Sequence, residues 1–310
     1  MINLPTRRKV DITMAERTIE LLRKYARPAF RGDRRRRLEN MNRTWLLYLG
    51  VFVASAAFFS AFWMLAPASI VPPAATDYVR HYAPVAENLL AGQGLTDRFG
   101  KPAMWFPPGY SCLLAGSFHI ADLLGVSHLS ASFALGVVLH ALVATLLALI
   151  VAQLWDVWAS LAVAVLWTCH PLTLALIPMV GSELPYALFL LVAVVFFWIG
   201  AYGEKIRFLQ LGLAGGFLGL AALFRAIALP LPFVMTALLL TRLKGISWRW
   251  RLTGAGVFFA AVLAVVSPWE IWMYRQSGRV YPISNHGLAS AIDGLTWARP
   301  SEIRASLSVP

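Results

Sequence analysis

The chain has 310 residues, 59% of them hydrophobic and only 14% charged, with a mean hydropathy of +0.66. Soluble globular domains run at roughly 45–50% apolar and about 25% charged, so composition excludes both a water-soluble enzyme and a disordered chain. The net charge of +12 is unevenly placed: residues 1–44 hold 13 Lys/Arg against 5 Asp/Glu, a net +8, and the other 266 residues hold 14 against 10.

From the N-terminus, the segment Met14–Arg27 carries Ile19, Leu22 and Ala26 on one helical face, with Glu20 four residues before Lys24, and Arg34–Arg37 follow. This pattern predicts a basic, cytoplasmic segment over 1–44 drawn to anionic lipid head groups, at about 1 kcal/mol per basic residue near the surface. It is not read as a nucleic-acid interface. Ala66-Pro67-Ala68 mimics a signal-peptidase box, but the apolar run before it is too long for a signal peptide.

A helix crossing a ~30 Å hydrocarbon core needs about 20 apolar residues. Charge-poor runs of that kind are Trp45–Ala66, Leu129–Leu154, Val157–Pro178, Leu184–Tyr202, Phe208–Phe224, Ala226–Thr241 and Leu252–Trp272. An eighth run, Pro107–Leu124, opens on Pro107-Pro108-Gly109 and contains His119 and Asp122, so it is expected at the interface or re-entering. Short cytoplasmic loops carry the excess Lys/Arg. With seven crossings, residues 1–44, the loop Gly203–Arg207 and the loop Arg242–Arg251 share one side and hold 19 of the 27 basic residues. The expected architecture is an all-α, multi-pass membrane protein with about seven spans and a cytoplasmic N-terminus. Residues 45–272 form the membrane module, 67–128 its first outer loop, and 273–310 an outer tail. Asp77–Ala91 places Tyr78, Tyr82, Val85, Leu89 and Leu90 at helical spacing, an amphipathic helix expected along the outer surface.

Ionisable groups at membrane depth are costly and ask for a reason. Asp77, Glu183, Arg225 and Glu270 all fall at the outer face in this topology, an arrangement suited to an anionic lipid substrate. Each has a plain structural role beside it: helix start for Asp77, dipole-favoured first turn for Glu183, interfacial anchor for Arg225 and Glu270. Gly212-xxx-Gly216 and Gly215-xxx-Gly219 read as helix packing, His140 and His170 as hydrogen-bonded structural histidines, and Asp156 as an inner turn between Trp155 and Trp158. No Walker sequence, dinucleotide fingerprint, paired-cysteine metal box or G-x-S-x-G occurs.

Several short motifs recur in a fixed order: Asp77-Tyr78, Tyr82-Ala83, Asn88-Leu89-Leu90-Ala91-Gly92-Gln93-Gly94, Phe106-Pro107-Pro108-Gly109-Tyr110, Ser182-Glu183-Leu184-Pro185-Tyr186, Gly219–Arg225 and Ser267-Pro268-Trp269. In order and spacing, over about residues 45–295, the chain resembles the C-type integral-membrane glycosyltransferases, in the branch of protein O-mannosyltransferases and lipid A aminoarabinose transferases. The resemblance implies transfer of a sugar from a polyprenyl-phosphate carrier to an acceptor glycan, lipid or protein at the outer face of the plasma membrane, in bacteria the inner one. It makes Asp77 the catalytic base, Glu183 a second acid of the site, and Arg225 the group that meets the carrier phosphate. Tyr78, Tyr82, Tyr110 and Glu270 are expected as substrate contacts. Asp77 and Glu183 could instead bind a divalent cation, which the reaction does not require. Two departures stand out: Asp77-Tyr78 replaces an Asp-Glu pair, and Trp272-Met273 replaces the start of an Arg-Asn-Tyr run. Such enzymes also continue into further spans or an outer domain, so the 38 residues beyond Trp272 read as part of a longer protein. The rival class is a transporter or lipid-carrier binding protein, for which an internal repeat would be the signature; none is visible.

Topology is testable by impermeant cysteine labelling of whole cells, with Cys112 and Cys169 replaced by serine. A cysteine at Thr96 should label and one at Ser247 should not; the reverse pattern would invert the protein.

Overall fold

The computed structural model describes residues 34–67, 69–202, 206–242 and 246–284. The segment Met14–Arg27, the loop residues Gly203–Lys205 and Leu243–Gly245, and the tail from residue 285 lie outside these. Ten α-helices make up the described chain: α1 (Arg34–Leu65), α2 (Ala83–Leu90), α3 (Gly109–Leu124), α4 (His128–Leu154), α5 (Val157–Cys169), α6 (Pro171–Met179), α7 (Glu183–Ala201), α8 (Phe208–Phe224), α9 (Leu231–Arg242) and α10 (Trp248–Ser277). A π-helical turn, Tyr78–Tyr82, leads into α2, and a 3-10 turn, Ala226–Ala228, precedes α9. Among the described residues the β content is one isolated bridge, Thr96 to Pro102.

Every apolar run of the sequence is helical, but not every one is long. Four helices are long and apolar enough to cross a membrane: Trp45–Leu65, His128–Leu154, Glu183–Ala201 and Trp248–Ser277. The pair α5–α6 makes a fifth if counted as one span, bent by 53°. Pro171 causes the bend, because its ring removes a backbone donor and obstructs the preceding turn. Phe208–Phe224 and Ala226–Thr241 are apolar but shorter; 17 residues rise only ~25 Å. The described residues are thus all-helical with four or five helices of spanning length. The segment Pro107–Leu124 forms α3, with Leu123 and Leu124 exposed beyond its packed face.

Local signals set the helix ends. Ser127 caps α4, its Oγ accepting from the Ser130 N–H at 3.1 Å, and Asp156 caps α5, accepting from Ala159 N–H at 2.9 Å. Gly125 and Gly278 close α3 and α10 in the left-handed conformation. Arg251 donates to the Leu240 and Ile246 carbonyls at 3.0 and 2.9 Å. One of the basic residues that argued for a cytoplasmic loop therefore also caps the end of α9.

Two layers of packing form the body. In one, α8 lies between α7 and α10 around Phe197, Leu211, Leu218, Phe258 and Val262. In the other, α4 holds α1 and α5, with hydrogen bonds made between helices where lipid offers none. Ser55 and Thr168 share a hydrogen bond at 3.0 Å, and Ser160 Oγ donates to the Ala148 carbonyl at 2.8 Å. His140 is fully buried, with Nε2 at 2.7 Å from the Thr173 carbonyl and Nδ1 accepting from Trp167. His170 differs from expectation: it is exposed at the α5–α6 break. Many large apolar side chains face outward, among them Trp45, Leu46, Val165, Leu166 and Leu263. Such a surface is untenable in water and ordinary against lipid.

Only one of the two glycine pairs is a packing surface. A Cβ on Gly215 would lie 2.1 Å from the Phe258 carbonyl oxygen, and one on Gly219 would lie 2.9 Å from Val265 Cβ. Gly216 meets nothing within 4 Å. Gly215→Ala should therefore lower thermal stability by about 1–3 kcal/mol through overpacking against α10. Gly216→Ala should leave it unchanged or slightly raised. Thermal unfolding of both in detergent distinguishes them, and equal losses would contradict the packing geometry.

Candidate functional site

The site is built where one set of helix ends meets. Ala75 N–H donates to the Met179 carbonyl at 2.8 Å, stitching the segment before Asp77 to the end of α6. The chain then enters the π-helical turn, closed by Ala83 N–H to the Tyr78 carbonyl. Single π turns are rare and cluster at functional sites. The apolar face of Asp77–Ala91 is not laid on a membrane surface, as its pattern suggested. Tyr78, Tyr82, Val85 and Ala86 are buried, and Tyr78, Tyr82 and Ala86 share a cluster with Tyr110, Leu114 and Phe118 of α3, Val180, and Phe224 of α8.

The second wall is the tight turn between α6 and α7. Val180 sits at φ 52°, ψ 60°, a left-handed conformation costly for a β-branched residue, and is 3% exposed. A Cβ on Gly181 would lie 2.0 Å from Glu183 Oε2, so glycine is what lets that carboxylate fold back over the turn. Arg225 approaches from the third wall. Helix α8 stops at Phe224, and Arg225 is extended before the 3-10 turn.

Arg225 Nη1 donates to Glu183 Oε1 in an ion pair and to Ser182 Oγ at 3.4 Å. Ser182 is buried and shares a hydrogen bond with the Tyr82 hydroxyl at 3.3 Å. Although Ser182 stands at the start of α7, its hydroxyl makes no cap bond and serves this junction instead. Burial pushes the Tyr82 phenol up to about 12; the Ser182 bond and the Arg225 charge oppose that, and Asp77 and Glu183 add to it. Tyr82 is thus neutral across the physiological range, and three of the four charged residues singled out in the sequence, Asp77, Glu183 and Arg225, act on it. Asp77 itself is exposed, makes no side-chain cap bond, and takes no hydrogen bond or ion pair among the described residues.

The remaining residues sort by contact. Tyr78 is buried with its hydroxyl on Ser132 Oγ at 3.0 Å, and Tyr110 is buried edge-on to the Tyr82 ring at 5.0 Å. Burial raises the Tyr110 phenol above the usual range. Both tyrosines support the site from behind. Glu270, expected among the substrate contacts, is held elsewhere: its Oε1 accepts from the Ile283 N–H at 2.6 Å, while Trp269 Nε1 donates to the Ile283 carbonyl at 2.7 Å. Ile283 is fully buried at φ 63°, so both backbone atoms are pinned in a strained conformation. Sequence reading missed Ser182 as the junction of the site and Ser132 as the anchor of Tyr78. A lone serine carries no pattern, and the Tyr82–Ser182 pairing spans 100 residues.

Among the described residues, no group of three or more His, Cys, Asp or Glu side chains could hold a metal ion. No family model, curated protein or solved structure matches the chain.

Loss of the Glu270 charge should loosen the segment around Ile283, since hydrogen bonds to charged groups contribute about 1.5–3 kcal/mol. Glu270→Gln should speed tryptic cleavage after Arg279 several-fold in the otherwise folded protein; an unchanged cleavage rate would mean that the pin is not a restraint.

Proposed function

We propose that the chain is a polytopic glycosyltransferase that moves a sugar from a polyprenyl-phosphate carrier to an acceptor at the outer membrane face. The observation that carries this reading is a carboxylate, Asp77, with no hydrogen bond or ion pair among the described residues, standing with an arginine–glutamate pair around one neutral tyrosine. In this reading the seven apolar helical segments are seven crossings with the N-terminus inside, the short α8 and α9 and the bent α5–α6 included. Support comes from the way the ends that this reading puts outside meet: the α6–α7 turn, the C-terminus of α8, and the loop ahead of α2 touch one another. The basic loops and the Asp156 turn belong to the opposite helix ends.

Each residue then has a defined task. Asp77 takes the proton from an acceptor hydroxyl, and that oxygen bonds to the anomeric carbon. The bond from that carbon to the carrier oxygen breaks, and its electron pair leaves on the polyprenyl phosphate. The leaving group needs no protonation, only a cation to stabilise its charge. Arg225 can do this without giving up Glu183, because its Nε and Nη2 make no hydrogen bond among the described residues. Glu183 and Ser182 hold the guanidinium in orientation, and Gly181 leaves room for the carboxylate. The bend at His170–Pro171 is the feature that favours a carrier instead, since broken helices mark many transporter sites.

The test uses membranes containing the full chain and radiolabelled polyprenyl-phosphate sugars. Asp77→Asn should bind the carrier yet transfer 10²–10⁴-fold more slowly, roughly 3–5 kcal/mol of barrier. Arg225→Gln should weaken carrier binding, because a charge-assisted contact to phosphate is lost. Wild-type turnover in Asp77→Asn would remove Asp77 from the mechanism. Carrier binding without turnover in the wild type, with every sugar tried, would assign the lipid-carrier binding role.

A further inference from the structure

Beside the charged residues lies a cavity of about 370 Å³ that none of Asp77, Glu183 and Arg225 lines. It falls within the roughly 300–1,000 Å³ of small-molecule sites. Tyr82 is common to both: it lines the cavity and bonds to Ser182 beside the ion pair. The cavity's far wall is a segment without regular structure, held nonetheless in a fixed shape. Asn88 Nδ2 donates to the Thr96 and Asp97 carbonyls at 3.0 and 2.9 Å and to Thr96 Oγ1 at 3.1 Å. Asp97 Oδ1 accepts from the Phe99 and Lys101 N–H groups, both at 2.9 Å, and Ala103 N–H returns to the Leu95 carbonyl at 3.0 Å. A loop so fully bonded is a preformed wall, which lowers the ordering cost of binding.

The lining points to a ligand class. Trp105, 45% exposed, lies parallel to His81 within 9°, and His81 meets Phe106 edge-on, so aromatic surface dominates one side. Hydrogen-bonding groups stand at other points of the lining: Lys101, Asp97 and Gln276. One cation and one anion leave the cavity near neutral, which disfavours a phosphate or another strongly charged ligand. A ring with an apolar C–H face and hydroxyls at its edge satisfies both features. We propose that this cavity binds a neutral pyranose, the terminal sugar of an acceptor glycan. The word acceptor rests on the transferase reading; the sugar site does not.

The experiment separates the two. Saturation-transfer NMR on the full chain in nanodiscs uses methyl pyranosides of glucose, mannose and galactose, a serine/threonine hexapeptide, and inorganic phosphate, with no donor present. At least one glycoside should give a signal from its ring C–H protons. Trp105→Ala should weaken that binding about tenfold, the loss of one stacking contact, and Trp105→Phe should restore most of it. Gln276→Ala, at an exposed helix end, should weaken binding without disturbing the fold. Binding is read with no carrier present and no transfer taking place, so failure of the catalytic reading leaves this result standing. Absence of binding by every glycoside, binding unaffected by both Trp105→Ala and Gln276→Ala, or Trp105-dependent binding of the peptide or phosphate alone would overturn the proposal.

Discussion

Everything at the functional end of the molecule depends on the contact between Arg225 and the Ser182-Glu183 pair. It joins the end of α8 to the start of α7, and through Tyr82 it reaches the helix of the first long loop. The pair is not a large source of stability. Both side chains are about two-fifths exposed, and exposed ion pairs contribute roughly 0–1 kcal/mol. What it fixes is direction. A guanidinium with one nitrogen committed to a carboxylate presents its remaining donors along a defined line. The local backbone is strained to allow this: Val180 occupies a left-handed conformation, at a cost of order 1–3 kcal/mol. Burial of its side chain in the tyrosine cluster offsets that cost.

The helices were legible in the sequence because lipid-facing segments announce themselves by composition over a long window. Phe208–Phe224 is the same seventeen residues as run and as helix. Lengths in space were less legible. Val157–Pro178 looked like one span, but Pro171 divides it, and a hydropathy window does not register one bent turn. The charge bias suggested which loops share a side, yet the count of crossings rests on the short helices α8 and α9, which composition alone cannot place.

The charged members of the site were legible for a different reason: an ion in an apolar chain is conspicuous. Asp77, Glu183 and Arg225 stood out on that ground and gather around one tyrosine. Glu270 stood out on the same ground and turned to another use. A carboxylate can answer a backbone N–H as well as a ligand, and which it meets depends on where Ile283 returns, a contact thirteen residues along the chain. The tyrosines were legible, but the roles of the smaller neutral residues were not. Ser182, Ser132 and Asn88 act through long-range or loop hydrogen bonds that leave no periodic trace.

Tyr82 explains why charged site and cavity can sit back to back. A charged residue in its place would couple them, since binding a ligand on one side would shift the ionisation of the other. A phenol held near 12 stays protonated throughout the physiological range, so its bond to Ser182 persists whatever the pH does to the carboxylates nearby. Its ring meets Phe106 at 5.1 Å and Tyr110 at 5.0 Å. That packing leaves it little freedom to swing aside. The residue therefore works as a neutral, rigid partition: it transmits position between α2 and α7 while keeping the Arg225–Glu183 pair on one side and the aromatic cavity on the other.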